Sequence, residues 1–309
     1  MRAFSIQMFG LKIKNTWVRD GLSEILATFI LSIFVYASGA LFTLSRGTSS
    51  SVMGRALASA CGTTLAIYSG FNASGSCLNP GIALMFCLLD KLRWKKYPLY
   101  VVCEFIGAFL AACVTYSVHL EAFHKFDGGM RQIYGENATA NIFTSIPAEG
   151  FSKSSGFLEI LVGAALLAGI VAAIIDANNA GPASGVLPIP MTLLLYAIAM
   201  TFSLQTGGAI NANIDLGGRT FVAIAGWGPE VFSLGDYWFW VPPAGNIVGG
   251  IVGTFIYQLM VGQHLPQPYD TTIDPVKINV DIEGTKYKET SMELSIVNGK
   301  TNLSYIHEI

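Results

Sequence analysis

Hydrophobic residues along this chain gather into long runs instead of alternating with polar ones, and six of the runs approach the length of a membrane-crossing helix. They cover residues 22–41, 56–71, 98–118, 157–175, 187–204 and 239–261; a helix needs roughly 20 apolar residues to cross ~30 Å of hydrocarbon. Two further apolar pieces, 80–89 and 212–224, are too short to cross, and lie between the second and third runs and between the fifth and sixth. The pattern is three spans plus a half-span, twice. An odd number of spans per half turns the second half over relative to the first, so the short helices are predicted to approach from opposite faces and meet near the centre. The fold class that follows is an all-α membrane protein, with six transmembrane helices and two half-spanning helices in an inverted repeat.

The two short helices begin alike. Ser74-Gly75-Ser76-Cys77-Leu78-Asn79-Pro80-Gly81 is echoed by Thr206-Gly207-Gly208-Ala209-Ile210-Asn211-Ala212-Asn213. Asn is among the preferred N-caps and Pro is favoured at the first helical position, so Asn79-Pro80-Gly81 is a capped helix start. Asn211-Ala212-Asn213 is the same start without its proline, and Asn213 is a competing cap. Broken segments at matching places in two halves point to a site at the membrane midplane.

Composition agrees. Of 309 residues, 52% are hydrophobic and 12% charged, with a mean hydropathy of +0.52, where a soluble domain carries roughly 25% charged residues. A net charge of -2, with no basic cluster interleaved with aromatics outside one loop, gives no case for nucleic acid as a partner. Since apolar runs recur toward the end of the chain, the first is expected to be a membrane anchor and not a cleaved leader. The five cysteines, Cys61, Cys77, Cys87, Cys103 and Cys113, show no CxxC and no histidine at ligand spacing. They are expected as small buried thiols, with no metal and no cofactor. Cys77, two residues before Asn79, is the one that could face a pore.

Basic residues set the orientation. Arg2, Lys12, Lys14 and Arg19 precede the first span, and Lys91, Arg93, Lys95 and Lys96 follow the first short helix, which makes those segments cytoplasmic. The expected division is a cytoplasmic segment 1–20, a channel domain 21–262 (repeats at about 21–120 and 157–262, with the outer loop 119–156 between them) and a flexible cytoplasmic tail 263–309. Asn137-Ala138-Thr139, in the outer loop, is an N-glycosylation acceptor on the appropriate side. Pro266 and Pro268 stop the last helix, and no periodic apolar face follows them.

Glu24, Glu104 and Glu159 sit inside apolar spans, where an ionised carboxylate is costly and faces a polar interior. Glu24 and Glu159 precede Asn79 and Asn211 by nearly equal distances, as repeat mates would. Two readings are open for these acids: a proton path, or acceptors for the non-helical backbone that must build a pore.

These residues resemble the aquaporin (major intrinsic protein) family, and within it the aquaglyceroporins, over about residues 21–262. The likeness is carried by Ser74-Gly75 through Pro80, by Gly135-Glu136-Asn137-Ala138-Thr139-Ala140-Asn141-Ile142-Phe143, by Asp215-Leu216-Gly217, by Ala225-Gly226-Trp227-Gly228 and by Trp240-Val241-Pro242. It implies the aquaporin fold, with the Asn79 and Asn211 amides donating to a passing hydroxyl where two positive helix ends meet. Carbonyls of Gly75, Ser76 and Cys77 and of Gly207 to Ala209 would line one side, and four subunits would assemble with one pore each. The plasma membrane is the expected location, and the lipid bilayer the surrounding partner.

Three departures stand out. The family has Asn-Pro-Ala at both caps, and here neither motif is intact. The outer constriction, made in the family by aromatic residues and an arginine, carries over to Ser59, Ala199, Gly208 and Ile214, without the arginine. Arg219 is five residues on, about 140° around the helix and roughly 7.5 Å along it. A unit charge about 6 Å from a cation, at an effective dielectric near 20, repels it by roughly 2.8 kcal/mol, or about a hundredfold in rate. Third, Glu104 stands where the family usually has glutamine.

The expected function is a passive channel for small neutral solutes, glycerol and water, with urea or other polyols as further candidates, through a widened constriction. Two alternatives stay open: a non-conducting membrane protein with a structural or partner-binding role, and a leaky pore with weakened cation exclusion. No His, Ser, Cys and acid set falls together, so an enzyme is not expected.

Overall fold

The computed structural model describes residues 12–183 and 185–266, and the backbone of 290–297 and 300–308; Arg2 and Pro268 lie outside these residues. The chain divides into a unit ending at Gln263 and a unit beginning at His264. The first contains α1 (Thr16–Leu44), α2 (Val52–Ser74), α3 (Pro80–Leu88), α4 (Tyr97–Asp127), α5 (Lys153–Ile175), α6 (Ile189–Thr201), α7 (Ala212–Ile224), the short turn α8 (Leu234–Tyr237) and α9 (Val241–Met260). In the second, β1 (Thr290–Val297) and β2 (Lys300–Glu308) pair as an antiparallel ribbon. The ribbon corrects the expectation that no periodic apolar pattern follows the last helix: Met292, Leu294 and Ile296 alternate with Glu293 and Ser295 at the period of a strand, and the all-helical description belongs to the first unit.

Local chemistry starts and stops the helices. Asn15, Ser51 and Ser152 cap α1, α2 and α5 by accepting from the backbone N–H groups of Trp17, Gly54 and Ser155, which otherwise lack a partner at a helix start. At the other end of α2, Gly75 takes the left-handed conformation at φ +93°, which closes the last turn without a Cβ penalty. α1, α2, α4 and α5 also outrun their apolar stretches. α4 continues nine residues past 118, to Asp127, because a polar helical end needs no apolar side chains once it leaves the hydrocarbon.

Two of the six expected spans are weaker than the others. α1, α5 and the segments containing α4 and α9 are long and apolar enough to cross a membrane; α2 and α6 fall short of that standard. In α2 the reason is small and polar residues such as Ser59, Thr63 and Thr64. α6 has 13 residues, about 20 Å of helix, and ends at Thr201 where the chain turns toward the second cap.

Packing repeats in the two halves. α1 lies against α2 and α4, and α5 against α6 and α9, while each short helix leans mainly on the other half: α3 on α9, and α7 on α4. Glycines permit the close crossings. A Cβ on Gly107 of α4 would come within 2.5 Å of the Ile25 carbonyl of α1, and one on Gly81 of α3 within 2.8 Å of the Asn246 carbonyl of α9. Where α5 crosses α9, a Cβ on Gly253 would overlap the Ala165 carbonyl.

At the Leu44 end of α1, the loop after α4 folds back into the molecule. Phe123, Phe143, Phe221, Trp227 and Tyr36 form an aromatic cluster there, and Asp215 of α7 holds the loop by accepting from Ser145 N at 2.6 Å and Thr144 Oγ1 at 2.9 Å. At the opposite end, the buried Asp20 pairs with Lys96 and with Arg19.

Candidate functional site: a cavity crossed by two asparagine caps

The two short helices meet cap to cap. Asn79 Oδ1 accepts from Gly81 N at 2.9 Å, while its Nδ2 donates across the junction to the Ile210 carbonyl at 2.9 Å. Asn211 mirrors it: Oδ1 accepts from Asn213 N and Ile214 N at 3.1 and 3.2 Å, and Nδ2 donates to the Leu78 carbonyl at 2.8 Å. Each side-chain amide nitrogen carries two hydrogens, so the crossed bonds use one and leave the other. Both asparagines border one continuous cavity of about 500 Å³.

Each half-helix is also gripped two residues past its cap. Gly81 N donates to Asn246 Oδ1 at 3.1 Å, and Asn246 Nδ2 donates to the Ile210 carbonyl at 2.7 Å. In the other half, Asn213 Nδ2 donates to Glu104 Oε2 at 2.9 Å and to the Val101 carbonyl at 2.8 Å. Asn213 is therefore not a competing cap: its side chain points into α4, and Asn211 caps α7 alone. Pro80 occupies the first turn of α3, and Ala212 that of α7.

Approaching the caps, the backbone leaves regular structure. Ser76 and Leu78 have φ of +51° and +60°, and Gly207 and Gly208 have +70° and +80°. For Ser76 and Leu78, which carry side chains, this conformation costs on the order of 1–3 kcal/mol each. Glu24 offsets it by accepting from Cys77 N at 3.0 Å and Leu78 N at 3.1 Å. Glu159 accepts from Gln205 N at 3.1 and 3.3 Å. Gly75, Ser76, Cys77, Gly207 and Ala209 all border the cavity, as do apolar residues such as Leu31, Leu167 and Ile198. Cys77 is only 4% exposed and belongs to the central apolar cluster with Cys87.

Glu104 is wholly buried, and its Oε1 has no hydrogen-bond partner among the described residues. No group of His, Cys, Asp and Glu among those residues could hold a metal ion.

Toward the Leu44 end the cavity passes Ser59, Ala199, Gly208 and Ile214. None of these side chains is large and polar. Tyr36 fixes the level of Ile214 by donating to its carbonyl at 2.6 Å. Arg219 is 0% exposed and ion-paired with Asp215 at 3.1 Å, and it donates to the Ser145 and Val231 carbonyls at 2.7 and 2.8 Å; it holds the loop and does not border the cavity. Arg55, just before the apolar stretch read as the second span, does border it. Its one signal in the sequence is a spacing of four residues from Ser59. Asn137 accepts from Arg46 at 2.8 Å, and Thr139 of the same motif is buried, accepting from Trp227 Nε1 at 3.0 Å.

A bundle of membrane-spanning helices whose two halves each drop a short helix into a shared cavity defines a multi-pass membrane channel. The chain belongs to the major intrinsic protein family, whose family description matches residues 12–257. It is similar to Aquaporin-9 of Homo sapiens, at 38% identity over 84% of this chain and 88% of that one. Against Aquaporin-10 of Homo sapiens the identity is 36%, over 83% and 85%. Among solved structures, the aquaglyceroporin from Plasmodium falciparum has the same fold, with a TM-score of 0.71 and 24% identity over 79% of this chain and 97% of that one. The protein is thus an integral membrane channel for water and small solutes, and not an enzyme.

Proposed function

We propose that the channel conducts glycerol together with water, and admits urea and other small polyols, through an outer constriction that lacks an arginine at residue 214 and is wide for its family. The observation that carries this reading is the crossed pair of caps: Asn79 and Asn211 each retain an amide hydrogen beyond the bond that joins the two halves. A polyol needs donors and acceptors along one side and tolerates an apolar wall on the other. The backbone around Gly75 and Gly207 supplies the first, and Leu31 and Leu167, which border the same cavity, supply the second. Ser59, Ala199, Gly208 and Ile214 take up little of the cross-section, which favours solutes larger than water.

The Thr16 end of α1 and the tail face the cytoplasm, consistent with Lys12, Lys14, Arg19 and Lys91 to Lys96. The loop after α4 faces outward, where Asn137 is available for glycosylation during synthesis. The channel resides in the plasma membrane as a homotetramer. Glu24 and Glu159 act as structural acceptors and not as a proton path.

Stopped-flow light scattering on proteoliposomes tests the conduction. Glycerol re-swelling well above protein-free vesicles is the expected result; rates equal to the empty control would leave the non-conducting reading standing.

A further inference from the structure

Among the described residues, Arg55 is the one cation that borders the cavity. It lies one helical turn before Ser59, whose Oγ donates to the Arg55 carbonyl at 3.0 Å, so the two share a face of α2 about 6 Å apart along the axis. The guanidinium lies against α1 at Gly39, where a Cβ would stand 3.6 Å from both Cζ and Nε of Arg55. Gly39 is three residues beyond Tyr36, about 4.5 Å of helix rise, and the Tyr36 hydroxyl marks the level of Ile214. The charge thus stands roughly one turn from residue 214, toward the Leu44 end.

The other enclosed cations among the described residues are neutralised: Arg219 by Asp215, Arg131 by Asp127 and Lys96 by Asp20. Arg55 is partly buried, yet among the described residues its side chain has neither an ion-pair partner nor a hydrogen-bond acceptor. A guanidinium is always charged and carries five donors. With no protein acceptor, both its charge and its donors act on whatever enters the cavity.

We propose that Arg55 is the cation-excluding residue of the constriction, supplying from α2 the charge that residue 214 does not carry. The assignment rests on the pore proposed above. Moved one turn toward the mouth, the charge leaves the narrow level free for a polyol while still raising the barrier to a positive ion. At about 6 Å and an effective dielectric of about 20 to 40, one charge changes cation passage by roughly tenfold to a hundredfold.

The test uses the full chain in proteoliposomes, measuring glycerol flux and sodium flux on the same preparations of wild type, Arg55→Leu, Arg55→Gln, Arg55→Lys and the double variant Arg55→Leu with Ile214→Arg. The expected result is a rise of roughly tenfold to a hundredfold in sodium flux relative to glycerol flux in the Leu and Gln variants, wild-type exclusion with Lys, and recovery of exclusion in the double variant. Sodium flux within twofold of wild type in Arg55→Leu or Arg55→Gln vesicles that still pass glycerol would overturn the assignment. If Arg55→Leu does not fold, Arg55→Gln decides alone. Wild-type vesicles that pass neither water nor glycerol would instead overturn the pore, and this assignment with it.

Discussion

At the scale of single residues, much of this molecule depends on polar atoms that answer one another inside an apolar interior. The crossed amides of Asn79 and Asn211 each do two tasks, capping a helix and joining the two halves. Removing an Asn cap costs on the order of 1 kcal/mol, and leaving the opposite carbonyl with one partner fewer adds to that. Asn79→Ala is therefore expected to lower the melting temperature in detergent and to reduce glycerol flux at least tenfold, as measured by vesicle re-swelling. The Glu104–Asn213 bond makes a separate prediction. In a double-mutant cycle of Glu104→Leu and Asn213→Ala, the two positions should couple by about 1–3 kcal/mol, read from the temperature dependence of unfolding. Additive effects would show that the bond contributes nothing beyond its parts.

The N-caps were legible from the sequence, because capping is a local preference. The grip two residues further on was not. Gly81 meets Asn246 across 165 residues and Asn213 meets Glu104 across 109. In sequence, the altered third position of each motif looks like a loss. In space, each is fitted to its partner: a glycine where Asn246 presses close, and an asparagine where Glu104 needs a donor.

Among elements, the decisive feature is how closely helices approach. The α5–α9 crossing leaves no room for a side chain at Gly253, nor does the α1–α4 crossing at Gly107. In Gly253→Leu the obstacle is the Ala165 backbone carbonyl, which cannot rotate aside, so destabilisation of roughly 1–3 kcal/mol or more is expected, with loss of monodisperse protein on size-exclusion chromatography as the readout. A leucine at Gly128, which has nothing within 4 Å but φ of +68°, should cost less, since only backbone strain opposes it. The apolar runs found the helices and underestimated the lengths of α1, α2, α4 and α5, because hydrophobic runs mark the part of a helix in hydrocarbon. They did not detect that α6 is short, because Phe202 and Leu204 continue the apolar composition while the backbone has already turned.

For the whole molecule, the balance of interest is width against charge at the constriction. Ile214→Arg is expected to narrow the solute range: a guanidinium placed beside Gly208 and Ala199 fills space and orders water, so glycerol and urea fluxes should fall severalfold while water flux falls less, measured side by side in vesicles. Equal falls for all three solutes would point to a folding defect instead. Tetramer formation belongs to this scale too; a mass of about four chains by light scattering, after subtraction of detergent, is the expected outcome.

The sequence alone determined the class of the fold and its internal repeat, since a bilayer forces apolar runs of set length and an odd number of them per half inverts the second copy. It also determined where the short helices start. Tertiary structure decided the contacts around them. The pairing of Asn213 with Glu104, the burial of the Cys77 thiol, the engagement of Arg219 with Asp215 and the freedom of Arg55 beside Gly39 depend on which helices cross and at what depth. No local preference encodes such contacts, because they form between residues far apart in the chain once the two halves have interlocked.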